Sequence, residues 1–176
     1  MKKLLIKVII FIMILFTFTG CYTLSKIYTY KEETLSVYDN YKEYIYIETY
    51  MKDETDEKSP ISLIEIEPIN FAGLKKAKKV ELLNEKILVE YNGKRYSLKV
   101  IDRTAVLLYR EGVILKEGTV VYFGKVKVDD KMIIDMPPVK LKQYLEVTKY
   151  NPIADGLNID TSQDIYYGPV EGYKGR

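Results

Sequence analysis

Residues 86–101 (KILVEYNGKRYSLKVI) constrain the fold of this chain more strongly than any other segment. Asn92-Gly93 suits a type I′ turn, because both central residues of that turn need a positive φ. A two-residue loop at this point predicts the pairs Tyr91–Lys94, Glu90–Arg95, Val89–Tyr96, Leu88–Ser97 and Ile87–Leu98. One face is then almost entirely apolar (Ile87, Val89, Tyr91, Tyr96 and Leu98), and the other carries an opposite-charge pair. A shift by one residue would mix the two faces, so the segment predicts an antiparallel hairpin in this register.

Alternating apolar and polar residues predict further strands. Glu43–Met51 (EYIYIETYM) places Ile45, Ile47 and Met51 on one face and Tyr44, Tyr46 and Tyr50 on the other. Ile61–Glu67 and Val139–Tyr150 alternate in the same way. Two turn dipeptides predict hairpins that join 105–109 to 113–116 and 119–128 to 132–135. Gly124 interrupts the longest of these strands, which predicts a bulge or a close backbone approach there.

These segments predict an all-β fold for residues 35–150, an antiparallel β-sandwich or a small barrel of about eight or nine strands. Residues 21–34 are expected to form a tether, although Ile27, Tyr28 and Tyr30 could pair as an early strand. Residues 151–176 are rich in Gly, Asp and Asn and show no period, so we expect an irregular C-terminal segment.

The N-terminus has the layout of a secretory signal. Lys2 and Lys3 precede Val8–Phe18, which is apolar apart from one threonine, and small residues lead to Cys21, the chain's one cysteine. Phe18-Thr19-Gly20-Cys21 resembles the lipobox of bacterial lipoproteins. The resemblance implies that residues 1–20 are removed as a signal peptide and that Cys21 is acylated with a diacylglycerol and often a third chain. An unpaired thiol in an exported protein also calls for such an explanation.

The alternative is an uncleaved membrane anchor, although the apolar run spans 11 residues and a spanning helix needs roughly 20. Either interpretation places the rest of the chain at the cell envelope, membrane-bound and facing away from the cytoplasm.

Charge argues against nucleic acid as a partner. Residues 1–20 contain three lysines and no acid, which leaves 24 basic and 25 acidic side chains in the remainder. Phosphate binding draws on a basic surplus, and this part of the chain has none. The chain has seventeen tyrosines and no tryptophan. Tyrosine suits both strands and recognition surfaces, and the face formed by Tyr44, Tyr46 and Tyr50 is our candidate binding site.

The sequence contains few of the residue combinations that enzymes use for catalysis. The sequence has no histidine, which excludes Ser-His, Cys-His and His-metal arrangements. Asp129-Asp130 lies in a predicted turn, where aspartates are common. Residues 158–164 offer oxygen ligands for Ca²⁺ but lack the EF-hand glycine. We therefore expect no catalytic residue, metal or cofactor, and predict a non-enzymatic binding or assembly module whose partner is an envelope protein or a surface polymer. The alternative is an envelope-polymer hydrolase that uses a carboxylate pair.

Overall fold

A computed structural model of the chain describes residues 6–7, 22–33, 40–71, 74–75, 77–107 and 112–175. The strands are β1 (Thr23–Glu32), β2 (Ile45–Met51), β3 (Ile61–Pro68), β4 (Asn70–Phe71), β5 (Leu74–Lys75), β6 (Val80–Leu82), β7 (Lys86–Tyr91), β8 (Lys94–Lys99), β9 (Ala105–Leu107), β10 (Val120–Tyr122), β11 (Gly124–Val128), β12 (Met132–Met136), β13 (Val139–Tyr150) and β14 (Gln163–Pro169). Short 3-10 turns lie at Asn40–Glu43 and Val170–Gly172, and one helical turn lies at Pro152–Asp155. No helix in these ranges is long and apolar enough to cross a membrane.

The strands form antiparallel sheets, which confirms the predicted all-β class. The largest sheet has the order β1-β13-β10-β7-β8, with β14 also paired to β13. Two three-stranded sheets have the orders β12-β11-β6 and β2-β3-β9, and β4 pairs with β5. The described strands close no barrel, consistent with a sandwich, and they outnumber the eight or nine that we predicted. The chain divides into a terminal unit (Met1–Ile27 with Leu145–Arg176) and a central unit (Tyr28–Tyr144).

The β7–β8 hairpin has the predicted register in full, from Tyr91 opposite Lys94 to Ile87 opposite Leu98. Asn92 and Gly93 have φ values of 50° and 71°, as the turn requires. The inward side chains Ile87, Val89 and Leu98 are buried. Local turn chemistry and a buried face agree here, which explains why the sequence alone determined the pairing.

Gly124 is the point at which the chain leaves one sheet and enters another. Its φ is +71°, and a Cβ there would collide with the amide of Asn84. The predicted close approach is confirmed, but the predicted single strand is wrong. Val121 and Phe123 are buried before the glycine, and Val126 and Val128 after it, so the inward face changes phase at Gly124. A positive φ redirects the backbone in a way that a residue with a side chain rarely adopts.

The segment 21–34, expected to be a tether, contains the ten-residue strand β1, which corrects that expectation. Tyr28 and Tyr30 alternate onto a buried face, as the early-strand alternative had suggested. The Thr49 hydroxyl accepts a hydrogen bond from the Tyr30 backbone N–H at 3.2 Å and donates one to the Tyr30 carbonyl at 2.5 Å. Strand β1 is therefore joined to β2 by paired buried hydrogen bonds.

Residues 151–176 also differ from the prediction, because β14 lies within the segment expected to be irregular. Most side chains of β14 stay exposed, so no apolar period marks the strand. Its strand conformation comes from backbone pairing with β13. Asn151 begins the segment by capping the helical turn, where its side-chain oxygen accepts from the N–H groups of Ile153 and Ala154.

One predicted hairpin is wrong where the structure describes it. Residues 113–116 form no strand, and β9 pairs instead with β3. Leu115 is nevertheless fully buried, and its carbonyl accepts a hydrogen bond from the Ile61 N–H at 3.0 Å. Leu115 therefore makes a core contact from a segment without regular structure, whereas Ile114 beside it is exposed.

Candidate functional site

Strand β2 places two of the three candidate tyrosines on one outward face. Its side chains alternate between buried and half-exposed along the whole strand. Ile45, Ile47, Thr49 and Met51 point into the core, as predicted for the isoleucines and the methionine. Tyr46 and Tyr50 are half-exposed, with Glu48 between them. Tyr44 is half-exposed as well, but it lies in the turn that precedes the strand.

Strand β3 adds two carboxylates to the same face. Tyr46 is opposite Glu67, and Glu48 is directly opposite Glu65. We call these five residues, Tyr46, Glu48, Tyr50, Glu65 and Glu67, the acidic tyrosine face. Like charges placed directly opposite each other in an antiparallel pair are destabilising. The face therefore combines tyrosine side chains with an arrangement of charge that opposes folding.

A bulge near the start of β3, opposite the end of β2, creates this register. Met51 is opposite Ile61 but Tyr50 is opposite Leu63, so Ser62 is the extra residue. The Ser62 hydroxyl donates a hydrogen bond to the Tyr50 carbonyl at 2.9 Å. Without the bulge, Glu48 would be opposite Ile64. The bulge thus determines that carboxylates meet across the two strands.

Tyr50 and Glu48 are linked by a hydrogen bond from the phenol to the carboxylate. This bond, with partial burial and the negative charge of Glu48, raises the pKa of Tyr50 to about 12. The tyrosine therefore stays protonated throughout the physiological range and acts as a donor to the carboxylate.

The pKa of Glu67 is also affected by its neighbours on this face. Partial desolvation raises its pKa above the ordinary glutamate value although the residue is exposed overall, and the negative charges of Glu48 and Glu65 raise it further. Glu65 accepts a hydrogen bond from the Thr104 hydroxyl at 3.3 Å, which is a neutral donor. Among the described residues, no lysine or arginine forms an ion pair with Glu48, Glu65 or Glu67.

Glu81 in the same unit shows how this chain neutralises a carboxylate elsewhere. Lys79, Arg103 and Lys127 approach it at 3.1, 3.5 and 3.2 Å. Hydrogen bonds from Lys79 and Lys127 lower the pKa of Glu81, against the effect of burial. The contrast with Glu67, whose pKa moves in the opposite direction, makes the acidic tyrosine face a distinctive surface of the central unit.

The remaining sequence candidates are not brought to this face. Asp129 and Asp130 occupy the β11–β12 turn, with φ values of 48° and 57°. The Asp129 carboxylate accepts from the backbone N–H groups of Lys78 and Lys79, and Asp130 pairs with Lys127 at 2.6 Å. These bonds hold a turn together.

Two further sequence candidates are the loop considered for Ca²⁺ and Cys21. Asp160, in the loop considered for Ca²⁺, accepts from the N–H and hydroxyl of Ser162, which lowers its pKa. In the part of the chain that the structure describes, no three His, Cys, Asp or Glu residues could hold a metal ion together. Cys21 lies outside the described residues.

No protein-family model, curated protein or solved structure matches this chain. Carboxylates accept strong hydrogen bonds from cationic donors, and aromatic ring faces attract lysine and arginine. The acidic tyrosine face is suited to a cationic group.

Sequence reasoning found the tyrosines but missed the three glutamates. A signal was present, because Glu48 alternates with the tyrosines in β2 and Glu65 and Glu67 alternate with isoleucines in β3. Each strand alone indicates only a half-exposed polar face. The cluster depends on the pairing of the two strands, which the bulge at Ser62 shifts by one residue.

Proposed function

We propose that this protein is a lipid-anchored module of the bacterial cell envelope that binds, without catalysis, a lysine- or arginine-rich segment of another envelope protein. The observation that carries the proposal is the like-charge pair Glu48–Glu65 on a face that also bears Tyr46 and Tyr50. An arrangement that costs folding free energy is retained where function uses it.

The partner's charge follows from the face itself. A cationic side chain would relieve the repulsion among Glu48, Glu65 and Glu67, and it could also lie against a tyrosine ring. Its binding therefore removes an unfavourable interaction in addition to forming a favourable one. A neutral or acidic polymer would leave the repulsion in place, so a basic protein segment fits better than an uncharged surface polymer.

The anchor follows from the N-terminal resemblance to lipoproteins. Under this proposal Cys21 carries the acyl chains and the domain faces away from the cytoplasm at the membrane surface. Two or more chains anchor a protein firmly, at about 0.8 kcal/mol for each buried CH₂ group. The anchor confines the face to the envelope, where its partner must also reside.

The binding test compares wild-type protein with Glu48→Gln combined with Glu65→Gln. In isothermal titration calorimetry, a synthetic lysine-rich peptide should bind the wild-type protein saturably. The affinity should fall as the salt concentration rises. The double variant should lose about tenfold in affinity, equivalent to about 1.4 kcal/mol. Tyr46→Ala with Tyr50→Ala should weaken binding while retaining the charge.

The matched control is Glu54→Gln with Glu57→Gln in the exposed loop between β2 and β3. It removes the same charge from the same unit but leaves the acidic tyrosine face intact. Equal losses in the two glutamine double variants would mean that net charge alone attracts the peptide, and the proposal would then fail. Circular dichroism spectra and unfolding midpoints would establish that each variant is folded.

The second candidate is an envelope-polymer hydrolase, and the raised pKa of Glu67 beside two other carboxylates favours it. A general acid must keep its proton near the working pH, and a nearby carboxylate must lack one. Glu67→Gln and Glu48→Gln would then each abolish turnover of an envelope polymer. Full retention of turnover in both variants would eliminate this candidate.

A further inference from the structure

The terminal unit contains an apolar groove close to the proposed lipidation site. The groove has a volume of about 450 Å³, and its lining includes Tyr22, Leu24, Ile165, Tyr166 and Tyr173. Tyr22, Leu24 and Ile165 are 51, 44 and 50 % exposed, so large apolar side chains remain open to solvent. Such a cluster of exposed apolar residues indicates a surface that is covered in use.

The groove has a fixed wall. The Tyr166 hydroxyl donates to the Pro169 carbonyl at 2.5 Å, and the Tyr166 and Tyr173 rings lie 5.2 Å apart between centroids. A Cβ at Gly172 would collide with the Tyr166 hydroxyl, so the glycine leaves room for this packing. The groove is therefore preformed, and little ordering would be needed when it is covered.

Basic side chains surround the aromatic ones. Lys149 and Lys174 line the groove, and no carboxylate-bearing residue is among the described residues that line it. The Lys149 Nζ lies 4.0 Å from the centre of the Tyr22 ring, and the Lys26 Nζ lies 5.2 Å from that of Tyr173. Tyrosine and lysine together are typical of a membrane–water interface, where rings lie at headgroup depth and lysines reach anionic headgroups.

Chain geometry determines what lies next to the groove. Tyr22 directly follows Cys21, and β1 begins at Thr23. Two residues of extended chain span at most about 7 Å, so the acyl chains of a lipidated Cys21 would enter the bilayer beside the groove. The anchor would therefore hold Tyr22 and Leu24 at the membrane surface, and a separate occupant would have to displace lipid.

We propose that this groove docks the terminal unit on the membrane, with its apolar side chains at the headgroup boundary and its lysines on anionic phospholipids. The proposal rests on the proposed acylation of Cys21. It predicts that Ile165, distant from the anchor in sequence but in the same groove, contacts lipid.

The test uses the absence of tryptophan from the sequence. Ile165→Trp gives the full chain a single tryptophan, in the groove, which can be excited selectively over the tyrosines. Leu157→Trp, at a 58 % exposed position of the same unit outside the groove lining, is the matched control. Each purified protein is reconstituted in vesicles of brominated phosphatidylcholine with or without phosphatidylglycerol, and mass spectrometry determines whether Cys21 is acylated.

With acylated protein, Ile165→Trp should lose most of its emission to the brominated chains, whereas Leu157→Trp should keep most of its own. Adding Lys149→Gln and Lys174→Gln should abolish the extra quenching that phosphatidylglycerol causes. Equal quenching at both positions would overturn the proposal. A blue-shifted but unquenched Ile165→Trp would also overturn it, because the groove would then hold protein. Acylated protein without groove quenching contradicts this proposal alone, whereas an unacylated Cys21 contradicts the anchor as well.

Discussion

Glu48 and Glu65 are directly opposite each other across strands β2 and β3, with tyrosines on both sides of Glu48 along β2. Neither carboxylate forms an ion pair with a described basic side chain. The same unit surrounds Glu81 with three basic side chains, so its sheets do contain compensated carboxylates. The uncompensated pair is a local cost to stability, and the proposed cationic partner would remove that cost.

Replacing Glu65 with Gln should stabilise the protein. The change removes the like-charge repulsion and keeps an oxygen that can accept the bond from Thr104. A cross-strand like-charge pair costs about 0.2–1 kcal/mol, so the free energy of unfolding at neutral pH should rise by that amount. Urea denaturation measures the change. A decrease in stability would show that Glu65 contributes a folding contact that outweighs the repulsion.

Glu67 should make stability fall as pH rises. Its pKa is raised in the folded state, so the folded protein holds this proton more tightly than the unfolded chain does. The resulting stabilisation is complete below the ordinary glutamate pKa and is lost as pH rises through the folded value. Glu67→Gln should therefore gain stability relative to wild type as pH rises from acid to neutral. Denaturation curves at a series of pH values would reveal the trend, and a difference independent of pH would contradict it.

Glu81 should show the opposite pH dependence. Hydrogen bonds from Lys79 and Lys127 lower its pKa in the folded state. Its contribution is present above the ordinary glutamate pKa and is lost as pH falls through the folded value. Glu81→Gln should thus be less stable than wild type at neutral pH, with a deficit that shrinks in acid. If Glu81→Gln and Glu67→Gln shifted stability with the same pH trend, the assigned causes would be wrong for one of them.

The paired bonds between Thr49 and Tyr30 should be necessary for stable folding. Thr49→Val leaves two buried backbone groups of Tyr30 without these partners, and an unsatisfied buried polar group costs about 1–3 kcal/mol. Thr49→Ser keeps the hydroxyl and should retain most of the stability. Thermal unfolding of the two variants compares them at one position. A larger loss in Thr49→Ser than in Thr49→Val would mean that the threonine methyl, and not the hydroxyl, is what matters.

Features that depend on residues close together in the sequence could be predicted, and features that depend on distant residues could not. The β7–β8 register was predictable because its turn dipeptide, its charge pair and its apolar face all lie within one local segment. The phase change at Gly124 was not, because it depends on the chain passing between sheets and on the side chain of Asn84. Strand β14 was not predicted for a related reason. It is paired through its backbone but most of its side chains are exposed, so its sequence shows no apolar period.

One part of the candidate site was predictable from the sequence, and another part was not. Alternation predicted which face Tyr46 and Tyr50 share, and the structure confirms that face. The meeting of Glu48 with Glu65 depends on one extra residue, Ser62, in the facing strand. A count of residues from the loop would have placed Ile64 there, so the charge arrangement needed the three-dimensional pairing.

Lipid attachment at Cys21 is the basis of the proposed function, and metabolic labelling with an alkyne-bearing palmitate tests it. Cells that produce wild-type protein or Cys21→Ser are labelled, and the purified proteins are coupled to a fluorescent azide. We expect label on the wild-type protein and none on Cys21→Ser. Wild-type protein without label, or equal label on both proteins, would contradict lipid attachment at Cys21.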